Sequence, residues 1–318
     1  MPFNPRPIRA ILCAGVLGAV AAAVSPARAV PQKAPAVPRQ PPPVTAPPAA
    51  EPAKPIDPAA SAARPSDDVL ASITREGQRI ASYHEALART RERIAASNPD
   101  LLDQGRMFVV ERAGTWHVIL VGREVDGSDA RGWLLKADAV FQPKAGELAK
   151  LDVIAPPRPA PADAQVTMRA LDAALASAQP LAKEYRPPYD EAIFRLPGKP
   201  GGFVVYLQSR SGAKGFARPG ADLKGGVSAD GTRLTEFAPM HGPGEAIDVP
   251  PGDGTTPTLH THVTIDLPTA TDVAAVLDHP GVAPHLVLTP HWMFRITADG
   301  VITWLGPNAV PPVPRSGS

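Results

Sequence analysis

The sequence predicts an α+β fold. Two runs of the chain each begin with a helix start signal and continue into short segments rich in β-branched and aromatic residues. A proline-rich segment at 155–161 separates these runs, so the first predicts a small helix-plus-sheet unit at 66–155. The second predicts an α/β sandwich of about six strands and one or two helices at 161–308.

Residues 1–29 have the three parts of a secretory leader. Arg6 and Arg9 precede an apolar run at 10–24, and 27–29 supply the small residues of a cleavage site. A membrane span needs about twenty apolar residues, and no stretch of the chain reaches that length. We therefore expect a protein of the periplasm or secreted medium, with no transmembrane segment in the mature chain.

The only cysteine is Cys13, which lies inside the leader. Leu12 precedes it where a lipoprotein signal requires a small residue, so lipidation is not expected. The mature chain would then have neither disulfides nor thiolate ligands. The net charge is +1, and loss of the three leader arginines leaves −2. With no basic cluster in the chain, nucleic acid is excluded as a partner.

Residues 30–65 consist mainly of proline and alanine and predict a disordered linker, because this composition cannot bury enough apolar surface to offset chain entropy. Its expected conformation is an extended polyproline II spacer. It would act either as a simple spacer or as a tether that docks on a partner. A short disordered tail is expected at 309–318.

The unit at 66–155 begins with a helix. Ser66 is a good N-cap, and Asn98-Pro99 is a stop signal. Apolar residues at a seven-residue spacing predict one buried stripe, which would pack on its own domain or bind a partner; they are Ile73, Ile80, Leu87 and Ile94.

Strands follow this helix. Residues 106–111 and 116–121 predict a hairpin, and 133–135 and 139–141 extend its sheet. His117, alone on one of these strands, is interpreted as structural.

The unit at 161–308 begins with a second helix, from Asp163 to about Ala178. Several short strands follow, and a glycine-rich loop within 212–226 is interpreted as a mobile connection. The predicted strands are 191–196, 202–208, 233–237, 259–263, 285–289, 292–297 and 301–305.

The sequence His260-Thr261-His262 lies on one of these strands and suggests a metal site. Residues two apart on a strand project from the same face, so both imidazoles would point together. Asp272, at the start of the short helix 271–277, would return toward them. Two imidazoles and a carboxylate would hold zinc and leave a fourth position open to water.

Other interpretations of the same residues exist. Thr269 and Asp272 have the spacing of a helix capping box, which would explain both without a metal. His291 would close the site if it supplied a fourth ligand. Taken singly, each remaining histidine of this region is interpreted as a surface or capping residue, namely His241, His279, His285 and His291.

The segment from His260 to Asp272 resembles the JAB/MPN fold of metalloisopeptidases, which carry H-x-H and a following aspartate as zinc ligands. The resemblance implies that His260, His262 and Asp272 bind zinc and that Thr269 occupies the position of a catalytic serine. Thr269 would then donate a hydrogen bond to the developing oxyanion. The family's upstream general base has only Glu191 and Glu236 as counterparts here.

The C-terminal segment is also similar to uncharacterised secreted proteins of Gram-negative bacteria with an HTHV...TDV pattern and an ADG hairpin. Two hypotheses of function follow. One is a zinc-dependent amide or peptide hydrolase of the envelope, acting on peptide or peptidoglycan-type substrates. The other is a non-catalytic periplasmic protein that binds an envelope partner or has a structural role through a degenerate JAB-like fold.

Overall fold

The computed structural model describes residues 64–123, 132–181, 188–198, 201–242, 248–252, 254 and 256–308. The predicted leader, nearly all of the linker and the tail at 309–318 lie outside these residues. The described residues belong to one compact unit, Ala60–Ser318. They form three α-helices and three four-stranded sheets, which confirms the predicted α+β class. None of these helices is long and apolar enough to cross a membrane.

Helix α1, Asp67–Ser97, has the predicted ends. The Ser66 hydroxyl accepts a hydrogen bond from the Val69 amide, and Asn98 follows the last turn. Ile80 and Ile94 of the predicted stripe are buried, whereas Ile73 and Leu87 are half-buried. Seven-residue spacing therefore located the buried face of this helix.

The first sheet has the order β1-β2-β3-β4, with β1 at Arg106–Arg112, β2 at Thr115–Gly122, β3 at Leu134–Gln142 and β4 at Glu147–Pro159. The predicted hairpin is present, and its turn at Ala113-Gly114 has two positive φ angles. The two short runs at 133–135 and 139–141 belong to the single strand β3, except for Trp133, which precedes it. His117 is structural, since its Nδ1 lies 2.9 Å from Asp138 Oδ1.

The proline-rich segment at 155–161 does not separate two compact units. Strand β4 runs through it, with Arg158 paired to Leu135. Proline is tolerated there because β4 is an edge strand, and a missing amide donor costs little on the open side. Residues before and after the segment share one core, in which the rings of Tyr83 and Phe194 lie 5.5 Å apart.

Helix α2, Ala162–Ala178, packs on the second sheet, whose order is β5-β6-β7-β8. These strands span Tyr189–Arg195, Phe203–Ser209, Leu223–Val227 and Leu234–Pro239. Strand β7 was not predicted, because its glycines suggested a loop. The lack of space beside β7 explains its glycines, since a Cβ at Gly226 would lie 2.7 Å from Glu236 Cγ on β8.

The third sheet has the order β12-β11-β10-β9, with β9 at Thr258–Thr261, β10 at His285–Leu288, β11 at Trp292–Ile296 and β12 at Ile302–Pro307. Strands β9 and β10 are parallel, and helix α3, Ala270–Asp278, connects them. This half of the chain thus has eight strands in two sheets rather than about six. Helix α3 also packs closely on α1, where Gly77 lies against it.

Candidate metal centre

Four buried side chains from three segments meet beside the parallel pair β9 and β10. His241 follows β8, His260 lies on β9 and His262 comes directly after it, and Asp272 lies in the first turn of α3. Each offers one ligand atom, and these four atoms lie within 4.8 Å of one another. All four side chains are 0% exposed.

Five distances between the ligand atoms are close to those around one tetrahedral ion. His260 Nε2 and His262 Nε2 are 2.9 Å apart, and His241 Nε2 is 3.1 Å from His262 Nε2. The oxygens of Asp272 lie 3.1 to 3.2 Å from the three imidazole nitrogens. Zinc ligands at about 2.0 to 2.1 Å in a tetrahedron would be about 3.3 Å apart.

Hydrogen bonds outside the cluster determine which ring nitrogen of His262 carries the proton. Its Nδ1 lies 2.9 Å from the carbonyl oxygen of Leu267. A carbonyl only accepts, so Nδ1 must donate, and Nε2 presents its lone pair to the cluster. The same short segment is anchored by the His262 amide, which donates to the Leu288 carbonyl of β10 at 2.7 Å.

A second relay orients His260 in the same way. The Thr258 hydroxyl donates to the Val282 carbonyl and therefore accepts from His285 Nδ1, 2.6 Å away. His285 Nε2 then accepts from His260 Nδ1 at 2.7 Å, which leaves His260 Nε2 as a lone pair toward the cluster. The two rings are stacked with centroids 4.9 Å apart.

Behind His241 lies a buried carboxylate. His241 Nδ1 is 3.5 Å from Asp222 Oδ2, and Asp222 Oδ1 accepts from the Ser209 amide at 2.7 Å. Burial raises the pKa of Asp222 to about 7, against the attraction of His241 and the hydrogen bond from Ser209. A carboxylate behind a histidine is the usual arrangement that orients a metal ligand.

Asp272 is both a helix cap and a member of the cluster. Its Oδ2 accepts from the Thr269 amide at 2.7 Å, and the Thr269 hydroxyl accepts from the Asp272 amide at 3.2 Å, so the predicted capping box is present. Burial raises the pKa of Asp272, but the three imidazoles together hold it well below its usual value. Its carboxylate is therefore charged.

These donors fit a divalent cation. Two of the imidazole lone pairs are fixed by the hydrogen bonds above, and they meet a third imidazole and a carboxylate at about 3 Å. Without a cation, the lone pairs of His260 Nε2 and His262 Nε2 would face each other at 2.9 Å in a site shielded from water. Three imidazole nitrogens and one carboxylate oxygen are ligands that zinc accepts in tetrahedral geometry.

The structure brings the predicted ligands His260, His262 and Asp272 together and adds His241. The interpretation of His241 as a surface or capping residue is wrong, because it is buried at the centre of the cluster. No sequence signal pointed to it, since it follows a strand 21 residues before its neighbour His262.

The other three histidines have different roles. His279 is the C-cap of α3, as the capping interpretation expected. His285 is buried behind His260, so the same interpretation is wrong for it. His291 does not reach the cluster, and its Nδ1 lies 2.8 Å from Asp266 on the exposed surface.

Neither predicted counterpart of the family's general base lies beside the cluster. Glu191, on β5 of the second sheet, pairs with Arg106, and Glu236 is exposed on β8. Thr269 lies beside the cluster, with its hydroxyl 3.5 Å from His241 Nε2, but serves as the N-cap of α3. Glu245, in the loop after His241, lies outside the described residues.

Comparison with known protein families, with characterised proteins and with solved structures finds no significant match for this chain.

Proposed function

We propose that His241, His260, His262 and Asp272 bind one zinc ion in a closed tetrahedral site, and that the chain is a non-catalytic exported protein stabilised by this ion. One observation carries the proposal. Four potential ligand atoms from three separate segments lie within 4.8 Å of one another, and the side chains that hold them are completely shielded from solvent. Structural zinc sites use four protein ligands, whereas catalytic ones keep a position for water.

The ion would hold together three segments that are separate in the sequence. Strand β9 has only four residues and lies at the edge of its sheet. The nine-residue helix α3 connects the parallel strands β9 and β10, and the ion would fix its first turn beside them. Ligands from the loop after β8, from β9 and from α3 would be joined at one point, so metal binding would contribute directly to folding.

A JAB-type amide hydrolase is the competing proposal, and ligand number separates the two. In a hydrolase, His260, His262 and Asp272 would bind zinc with a water as the fourth ligand. His241 would then have to move away from the position where it lies 3.1 Å from both His262 and Asp272. Its buried environment, with Asp222 behind it, favours the closed site instead.

Zinc analysis of protein purified without an affinity tag tests the closed site. We expect about one zinc per chain. The X-ray absorption spectrum of the zinc should show four nitrogen or oxygen ligands at about 2.0 Å, three of them imidazoles. Two imidazoles together with a water ligand would contradict the closed site and favour the hydrolase. If another metal is bound at one per chain instead of zinc, the proposed site is supported and only the identity of the metal changes.

Export is the second part of the proposal. Its support is the order of basic residues, apolar run and small residues within 1–29. We expect the mature chain to begin at Val30. Intact-mass measurement of the exported protein checks this, and a mature mass that still includes Cys13 would contradict it.

A further inference from the structure

Asp222 is a buried carboxylate without a permanent positive partner. Its side chain is completely shielded from solvent, and its Oδ1 accepts from the Ser209 amide at 2.7 Å. Its Oδ2 lies 3.5 Å from His241 Nδ1 and has no hydrogen-bond partner within the described part of the chain. No lysine or arginine of the described residues forms an ion pair with Asp222. Buried charges are usually paired or bound to a metal, so this carboxylate lacks compensation from the protein itself.

The backbone holds Asp222 directly behind the ring of His241. The Met240 amide, one residue before His241, donates to the Asp222 carbonyl at 2.8 Å. A charged carboxylate only accepts, so His241 Nδ1 facing it carries the ring proton and Nε2 presents its lone pair to the cluster. All three imidazoles of the centre then face the cluster in the same way, since those of His260 and His262 are also held through Nδ1.

Asp272 alone does not balance the charge of a divalent cation in this centre. Three neutral imidazoles and one carboxylate leave one positive charge of the ion uncompensated. The four ligand side chains are 0% exposed, so water cannot screen this charge. The N-terminal end of α3, whose first turn contains Asp272, adds partial positive charge at the same place. An unpaired buried charge is strongly destabilising, so the loaded centre requires a second anion.

We propose that Asp222 is this second anion and that it makes the centre selective for a divalent cation over a monovalent one. Asp222 and Asp272 together carry two negative charges, which equal the charge of one divalent ion. The ring of His241 lies between them, with Nδ1 3.5 Å from Asp222 and Nε2 3.1 Å from Asp272. Asp222 is not one of the four ligands and acts through His241. This inference rests on the proposed metal centre and extends it to the charge of the ion.

The variant Asp222→Asn tests the proposal, because it removes the charge and nearly keeps the size of the side chain. Loss of a group that orients a metal ligand usually lowers metal affinity about 10- to 100-fold. We expect a loss of this size in the zinc affinity of Asp222→Asn, measured by competition with a chelator. Asp266→Asn is the matched control, since Asp266 lies between two ligands in the sequence but is exposed, and it should bind zinc as the wild type does. Equal weakening by both variants would overturn the proposal.

The charge of the bound ion separates charge compensation from a disturbance of packing. Cu⁺ also accepts imidazole ligands, but it has a single charge, which Asp272 alone balances. Asp222→Asn should therefore weaken zinc binding at least about tenfold more than Cu⁺ binding, measured by competition titration under anaerobic conditions. Equal weakening for the two ions would show that asparagine only disturbs the packing behind His241, and would refute the selectivity. If Asp222→Asn does not fold, the same comparison is made with Asp222→Ser, a smaller uncharged replacement.

These measurements distinguish failure of this inference from failure of the metal centre. A wild type that binds no divalent metal would refute the centre and the role of Asp222 together. If the wild type binds about one zinc per chain and Asp222→Asn binds zinc equally tightly, the centre is retained and only the role of Asp222 is refuted.

Discussion

Replacement of His262 by alanine is expected to abolish stoichiometric zinc binding and to destabilise the fold strongly. His262 Nε2 is 2.9 Å from His260 Nε2 and 3.1 Å from His241 Nε2, so its loss removes a vertex that contacts the rest of the cluster. The buried, charged carboxylate of Asp272 would also lose the imidazole of His262, one of the groups that stabilise its charge.

The expected size follows from the energy of structural zinc sites. Zinc contributes about 10 to 16 kcal/mol to the folding of small zinc domains, which is as large as the whole stability of many proteins. Even a partial loss of about 4 kcal/mol would lower the melting temperature of a unit of this size by about 8 to 16 °C. Elemental analysis and thermal unfolding of the wild type and His262→Ala measure both effects.

Thr269→Ala is the matched control for this experiment. It removes the cap of α3, in which the Thr269 hydroxyl accepts from the Asp272 amide, and leaves all four proposed ligands in place. We expect it to cost about 1 kcal/mol and to retain zinc. If the wild type and His262→Ala contain equal, sub-stoichiometric metal, the metal proposal fails and the capping box is the sufficient explanation of Asp272.

Gly77→Ala is expected to destabilise the protein by about 3 kcal/mol, although alanine is the better helix former. A Cβ at position 77 would lie 2.4 Å from Val273 Cβ and 2.6 Å from the Ala270 carbonyl oxygen. Both atoms belong to α3, and a backbone oxygen cannot move without displacing the helix. The clash should therefore outweigh the gain of about 1 kcal/mol in helix propensity.

This variant should also weaken the metal centre, because Asp272 lies in the same first turn of α3 as Ala270. We expect a melting temperature lower by about 6 to 12 °C and faster loss of zinc to a chelator. Arg75→Ala, at an exposed position of α1, is the control and should change stability by no more than about 0.5 kcal/mol. Equal melting temperatures for the two variants would show that α1 and α3 can separate without cost.

Local sequence patterns were sufficient for the helix ends and for most strands. Helix α1 begins after Ser66 and ends before Asn98, as predicted, because capping depends on hydrogen bonds over three or four residues. The hairpin at Ala113-Gly114 was predictable for the same reason, since its turn is a property of two residues. Strand β7 was missed because glycine in a strand reflects the space left by the neighbouring strand β8.

Long-range pairing decided how the segments join. The prolines in β4 suggest a boundary when read alone, but an edge strand accepts them. Whether a strand lies at an edge depends on partners elsewhere in the chain, here Leu135 for Arg158. The shared core that includes Tyr83 and Phe194 is likewise a product of packing between distant segments.

The candidate metal centre was likewise predictable from the sequence only in part. The sequence by itself determined that His260 and His262 project together and that Asp272 begins a helix nearby, because strand and helix periods act over a few residues. Only the tertiary structure decided that His241 completes the set and that His285 orients His260. Those two positions depend on the packing of His241 against the β9 segment and on the parallel register that pairs His285 with Thr258, and neither follows from local periodicity.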